Sequence, residues 1–135
     1  MNDIANLTLH HIGLVTKDIN NSISFFRRIN YQESDIYIDH IQNVKIALLT
    51  ATNSTTIELV EPLSITSPVT SLLKKNGNTP YHLCYETENI EETIIKFRKL
   101  NFIKLFNPVP AVAFQGKLIC YLYNSNVGLI ELINI

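Results

Sequence analysis

Apolar residues recur at helical spacing in two short stretches of this chain and alternate with polar ones through most of the remainder. Ile19, Ile23, Phe26 and Ile29, behind Asp18 as an N-cap, predict a helix reaching about Asn30. Ile90, Ile94, Phe97 and Leu100, behind Asn89, predict a second. Glu92 lies three residues after Asn89, the spacing of a capping box with Asn replacing Ser or Thr. The alternating stretches predict strands over 7–16, 31–38, 44–50, 55–61, 81–87, 102–106, 117–123 and 128–134. Asn43 and the Thr52-Asn53-Ser54 cluster mark turns, and Pro108 with Pro110 marks a loop. Pro62 ends one strand, and Ser67-Pro68 opens a short helix through Leu72 and Leu73 that stops near Gly77.

Strand, helix and three strands thus occur twice, at about 7–61 and 79–135, joined by a short helix at about 66–76. The halves align without a gap over 21 positions at an offset of 71 (82 − 11), with 7 identities. His11 falls on His82, Thr16 on Thr87, Phe26 on Phe97, Arg27 on Arg98 and Asn30 on Asn101. Thr56-Ile57-Glu58-Leu59-Val60 falls on Leu129-Ile130-Glu131-Leu132-Ile133 at an offset of 73 (131 − 58). Helix periodicity accounts for matched isoleucines but not for matched histidines and glutamates, so the halves read as a duplication. The expected fold is α+β: two tandem βαβββ modules forming one curved, cup-shaped mixed sheet with helices outside, a single domain over 1–135.

Each half therefore carries one histidine on its first strand and one glutamate on its last. Alternate strand residues share a face, so Glu58 and Glu131 each lie opposite two large apolar neighbours. If first and last strands are neighbours, His11, Glu58, His82 and Glu131 converge. Two imidazoles and two carboxylates suit a divalent cation such as Zn, Ni, Co, Mn or Fe. His10, next to His11, is expected on the other face toward solvent, His40 in a turn, and Glu61 at a rim. Tyr81, Tyr85, Phe114, Tyr121 and Tyr123 read as packing residues that would also suit the lining of an apolar site.

Composition adds exclusions. A net charge of −1 gives no electrostatic reason for nucleic-acid or membrane binding. No apolar run approaches the ~20 residues of a membrane span, which makes the cytoplasm the expected location. Cys84 and Cys120 lie in apolar runs without CxxC spacing and read as buried reduced thiols.

Several stretches resemble the vicinal oxygen chelate superfamily (glyoxalase, bleomycin-resistance protein, extradiol dioxygenase), closest to its methylmalonyl-CoA epimerase branch. They are His11-Ile12-Gly13-Leu14, Ile57-Glu58-Leu59-Val60-Glu61-Pro62, Leu72-Leu73-Lys74-Lys75-Asn76-Gly77, Tyr81-His82-Leu83 and Gly128-Leu129-Ile130-Glu131-Leu132. The resemblance implies His11, Glu58, His82 and Glu131 as metal ligands, with the metal a Lewis acid on a chelated substrate. It implies a lyase or isomerase acting on a small oxygen-chelating metabolite, possibly a thioester, with Glu131 as a catalytic base. The epimerase branch places a second base in a Glu-Gln-Gly-Val stretch. Here Ile41-Gln42-Asn43-Val44 stands there, so that base is missing, and Asp39 or His40 would replace it only through a shift of the loop. The alternative is a non-catalytic module that sequesters an apolar ligand. An extradiol dioxygenase, with three protein ligands around iron, fits a four-ligand set less well. A homodimer is expected by analogy, through a face bearing Leu118, Cys120 and Leu122 or their neighbours.

Overall fold

The computed structural model describes residue 4 and residues 6–135. The chain divides into two units, one of His11–Tyr81 and one of His82–Ile135 together with the residues up to His10.

In the first unit the elements run β1 (Thr8–Val15, from His11 onward), α1 (Ile19–Arg28), β2 (Gln32–Glu33), β3 (Tyr37–Asp39), β4 (Val44–Thr50), β5 (Thr56–Pro62) and α2 (Thr70–Asn76). Its strand order is β2-β4-β5-β1, with β3 also on β4. β4 and β5 are antiparallel, whereas β1 lies parallel to β5 with His11 opposite Thr56 and Gly13 opposite Glu58. Ile19 and Ile23 of α1 bury against Ala47, Leu49 and Leu59, with Leu14, Phe26 and Ile57 around them. The odd-numbered residues of β5 thus face the helix and Glu58 faces away.

The second unit repeats the plan with β6 (Thr79–Thr87, from His82 onward), α3 (Ile90–Lys99), β7 (Ile103–Lys104), β8 (Val109–Ala111), a 3-10 turn (Val112–Phe114), β9 (Lys117–Asn124) and β10 (Gly128–Asn134). Its order is β6-β10-β9-β7, with β8 also on β9. β10 runs parallel to β6, with Leu129 opposite His82 and Glu131 opposite Cys84. Ile90, Ile94 and Phe97 of α3 bury against Cys120, Leu122, Ile130 and Leu132.

Helices α1 and α3 start and stop alike. The Asp18 and Asn89 side chains accept from the N–H groups of Asn21 and Glu92, both at 3.1 Å. The box expected at Glu92 is only half made, because its carboxylate turns to Lys96 at 3.2 Å. Asn30 and Asn101 take left-handed backbone angles, φ 72° and 69°. The next residues donate back into the last turn, Tyr31 N–H to Phe26 O at 3.0 Å and Phe102 N–H to Phe97 O at 3.2 Å.

Three strand boundaries differ from the pattern. The strand expected over 31–38 breaks into β2 and β3, where Ser34 binds Leu48 through backbone N–H (2.8 Å) and side-chain Oγ (2.9 Å) and ends the regular ladder. The strand expected over 102–106 shortens to β7. The Pro108–Pro110 loop contains β8, an edge pairing with β9 in which Pro110, lacking an N–H, stands opposite Leu118. Cys120 and Leu122 are fully buried beneath α3, so of the three residues expected on an exposed face only Leu118 is exposed, and Tyr123 is the exposed apolar neighbour. Among the described residues no helix is long and apolar enough to cross a membrane.

Candidate metal centre

Parallel pairing of first and last strands positions the candidate ligands in each unit. In the first, His11 and Gly13 share a face of β1, and Glu58 lies opposite Gly13, one step diagonally from His11. His11 Nε2 and Glu58 Oε1 are 3.5 Å apart, with the two side chains 0% and 3% exposed. In the second, His82 and Cys84 share a face of β6, with Glu131 opposite Cys84. His82 Nε2 and Glu131 Oε1 are 3.0 Å apart, at 0% and 2% exposure. The same diagonal arises twice because the same register arises twice.

A carboxylate buried this deeply requires a compensating charge. In each unit an imidazole nitrogen faces the carboxylate, so a shared proton or a cation held by both atoms would supply it. Imidazole nitrogen with carboxylate oxygen is also a donor set for divalent transition metals, so the residues fit the ion that the sequence implies.

The surroundings differ between units. Tyr121, opposite Glu131 on β9, sets its ring edge-on to His82 with centroids 5.1 Å apart, and Phe106 packs on Tyr121 at 5.8 Å. Tyr85 instead packs under α3, Phe114 is buried, and Tyr123 is 44% exposed, so these aromatics do not form one lining. His10 does not simply face solvent: it is half-buried, edge-on to Phe114 at 5.1 Å.

Glu61 has a structural task that a rim position does not capture. Its Oε1 accepts the Ile19 N–H at 2.8 Å at the start of α1, and its Oε2 lies 3.4 Å from Lys45 Nζ. Asn134 does the same for the Ile90 N–H at 2.8 Å. The 73-residue offset that pairs the glutamates also pairs these two, a signal available in the sequence (134 − 61).

The replacements for a second base do not stand ready. Asp39 is 3% exposed, and its carboxylate accepts from Gln42 twice, from N–H at 2.9 Å and from Nε2 at 2.8 Å. His40 is exposed, and Ile41 is 62% exposed.

Residues 10–121 match a family described as the Glyoxalase/Bleomycin resistance protein/Dioxygenase superfamily. The chain belongs to that superfamily. A mouse mitochondrial methylmalonyl-CoA epimerase is 27% identical over 128 residues, 92% of this chain and 71% of the relative. A solved hypothetical protein of Bacillus halodurans superposes with a TM-score of 0.86 at 26% identity, covering 97% of this chain and 96% of its own. The Streptomyces coelicolor methylmalonyl-CoA epimerase, solved with 2-nitronate-propionyl-CoA, shares the fold at a TM-score of 0.84 and 23% identity, covering 96% and 98%. Homologues of this superfamily domain are thus epimerases, a class of isomerase.

Proposed function

We propose that this protein is a divalent-metal-dependent isomerase or lyase acting on a small oxygen-chelating metabolite, with an acyl-CoA thioester as the preferred class. The observation that carries the reading is the doubled His/Glu diagonal on the face away from each helix. His11, Glu58, His82 and Glu131 would hold one ion, chosen among Zn, Ni, Co, Mn and Fe. That ion supplies Lewis-acid polarisation of the substrate's chelating oxygens.

The chain's own residues do the rest. Glu131 takes the proton from the carbon beside the polarised carbonyl. The Tyr121 ring against His82 fixes the imidazole plane. Epimerisation requires a proton donor on the opposite face, where the branch places a glutamate and this chain has Ile41. The proton on Glu131 exchanges with solvent before it is returned to the same face, which gives exchange with retention, so exchange outruns inversion. With methylmalonyl-CoA in deuterated water, the expected result is deuterium at the α-carbon appearing faster than loss of optical activity. Equal rates would show that a second base is present.

Elemental analysis of the purified full chain tests the centre itself. About one transition metal per chain is expected in wild type, with at least about a tenfold weaker hold in Glu58→Ala. Unchanged occupancy in that variant removes Glu58 from the ligand set. Retention of an apolar ligand after complete chelation, with no metal uptake, would favour a sequestering module instead. A homodimer belongs to the same reading and is tested by light scattering.

A further inference from the structure

Beside Glu131 the sheet of the second unit carries an apolar row that the core under α3 does not use. On the face away from α3, His82 stands opposite Leu129, Leu129 opposite Tyr123, and Tyr123 opposite Ile103, one residue from each of β6, β10, β9 and β7. Glu131 lies two residues along β10 from Leu129, on the same face. Exposure rises along the row: His82 is buried, Leu129 half-buried, Tyr123 exposed and Ile103 65% exposed. With neighbouring strands about 5 Å apart, Leu129 to Ile103 spans roughly 10 Å.

The fold does not require these residue types. In the first unit the same row is His11, Thr56, Thr50 and Gln32. His11 is opposite Thr56, Thr50 is opposite Gln32, and the register that sets Ile57 opposite Leu49 brings Thr56 to Thr50. The three polar residues fall on Leu129 and Tyr123 at an offset of 73 (129 − 56 and 123 − 50) and on Ile103 at 71 (103 − 32). One copy of the duplicated ladder is thus polar here, and the other is apolar while still open to solvent. A contiguous apolar strip of that kind marks a binding surface.

We infer that this row holds an alkyl substituent on the substrate's α-carbon, so that the preferred thioester is a 2-alkylmalonyl compound with a chain several carbons longer than methyl; this rests on the reading above, in which Glu131 takes the α-proton. At that carbon two valences lead to the chelating carbonyl groups and a third to the proton, which leaves one for the substituent. The substituent therefore starts beside Glu131 and lies along Leu129, Tyr123 and Ile103. The thioester's own arm, rich in amides, matches the row less well, because amides laid against aliphatic side chains lose their partners in water.

Calorimetric titration of the purified full chain with methylmalonyl-CoA and with pentylmalonyl-CoA tests this. The dissociation constant should be at least about tenfold lower for the pentyl compound. Ile103→Gln and Tyr123→Thr introduce the residues of the polar row, and each should cut that preference at least about threefold. Both positions are exposed and lie on different strands, so either variant decides the matter if the other fails to fold by circular dichroism. Equal dissociation constants, no binding of either thioester, or a preference undiminished in the folded variants would overturn the inference. So would a light-scattering mass that falls in Ile103→Gln with the chain-length preference unchanged, which would give the row to a second copy of the chain. Failure of the proposed reaction is read separately: α-deuterium exchange would then be absent from both thioesters, even with the chain-length preference intact.

Discussion

Cys120 shows how one buried side chain ties stability to pH. Burial raises its thiol from 9.0 to about 11, the neighbouring Lys104 offsetting this only in part. The unfolded chain, with the lower pKa, releases this proton first as pH rises. The stabilisation is therefore complete below about pH 9 and is lost as pH climbs through about 11. Cys120→Ala should melt lower at neutral pH, because a well-packed side chain is truncated. Its melting temperature should also fall less between pH 9 and 11 than that of wild type, and parallel curves would contradict the assignment. Glu33 works in the opposite sense. Arg27, hydrogen-bonded to it, holds its carboxyl below the usual range, so the pair's contribution is present above that range and fades on acidification. Both partners are solvated, which keeps that contribution small. At this scale the His/Glu pair of each unit was legible, because residue type, strand parity and repeat offset coincided. The thiol beside His82 was legible in principle, since Cys84 shares the parity of His82, but parity alone does not show which face lacks a helix.

Helices α1 and α3 are each held by the same three devices: a side-chain N-cap, a left-handed asparagine after the last turn, and a polar side chain from the unit's last strand on the first helical N–H. Replacing Asn30 or Asn101 with Ala removes the short polar side chain that lets asparagine tolerate left-handed backbone, at a cost of about 1 kcal/mol each. Asp18→Ala and Asn89→Ala should cost about 1 kcal/mol apiece. Urea unfolding of the four variants measures all of these, and Asn→Gly at the left-handed positions should be near neutral or stabilising. A loss from Asn30→Gly as large as from Asn30→Ala would show that the asparagine side chain, rather than the backbone angle, matters. The caps were legible because they are local. The contacts of Ile19 N–H with Glu61 and of Ile90 N–H with Asn134 were not, since they span 42 and 44 residues. The break between β2 and β3 and the pairing of β8 escaped for a related reason. Ser34 and Pro110 acquire their roles from the strand beside them, and local propensity describes only the residue itself.

For the whole molecule, the proposed ion would couple stability to metal concentration, because it would bind the folded chain and find no assembled ligand set in the unfolded one. Adding the native metal at about 100 times its Kd should stabilise the protein by about 2.7 kcal/mol, and chelation should reverse that gain. Calorimetry with and without chelator measures it. In Glu58→Ala, whose hold is at least about tenfold weaker, the same metal concentration should add at most about 1.4 kcal/mol, and an undiminished chelator effect there would remove Glu58 from the ligand set.

The sequence by itself determined the repeated order of elements, the helix ends, the residues that face each core, and the residue types able to hold a cation. These follow from periodicity and from interactions spanning a few residues, which leave a local trace. Tertiary structure alone decided that the last strand of each unit lies parallel beside its first, in a register that sets glutamate diagonal to histidine. It also decided that Cys84 shares the face of Glu131 while Cys120 lies under α3. Strand partnership depends on how separated segments bury their apolar faces together, and no single segment encodes that choice.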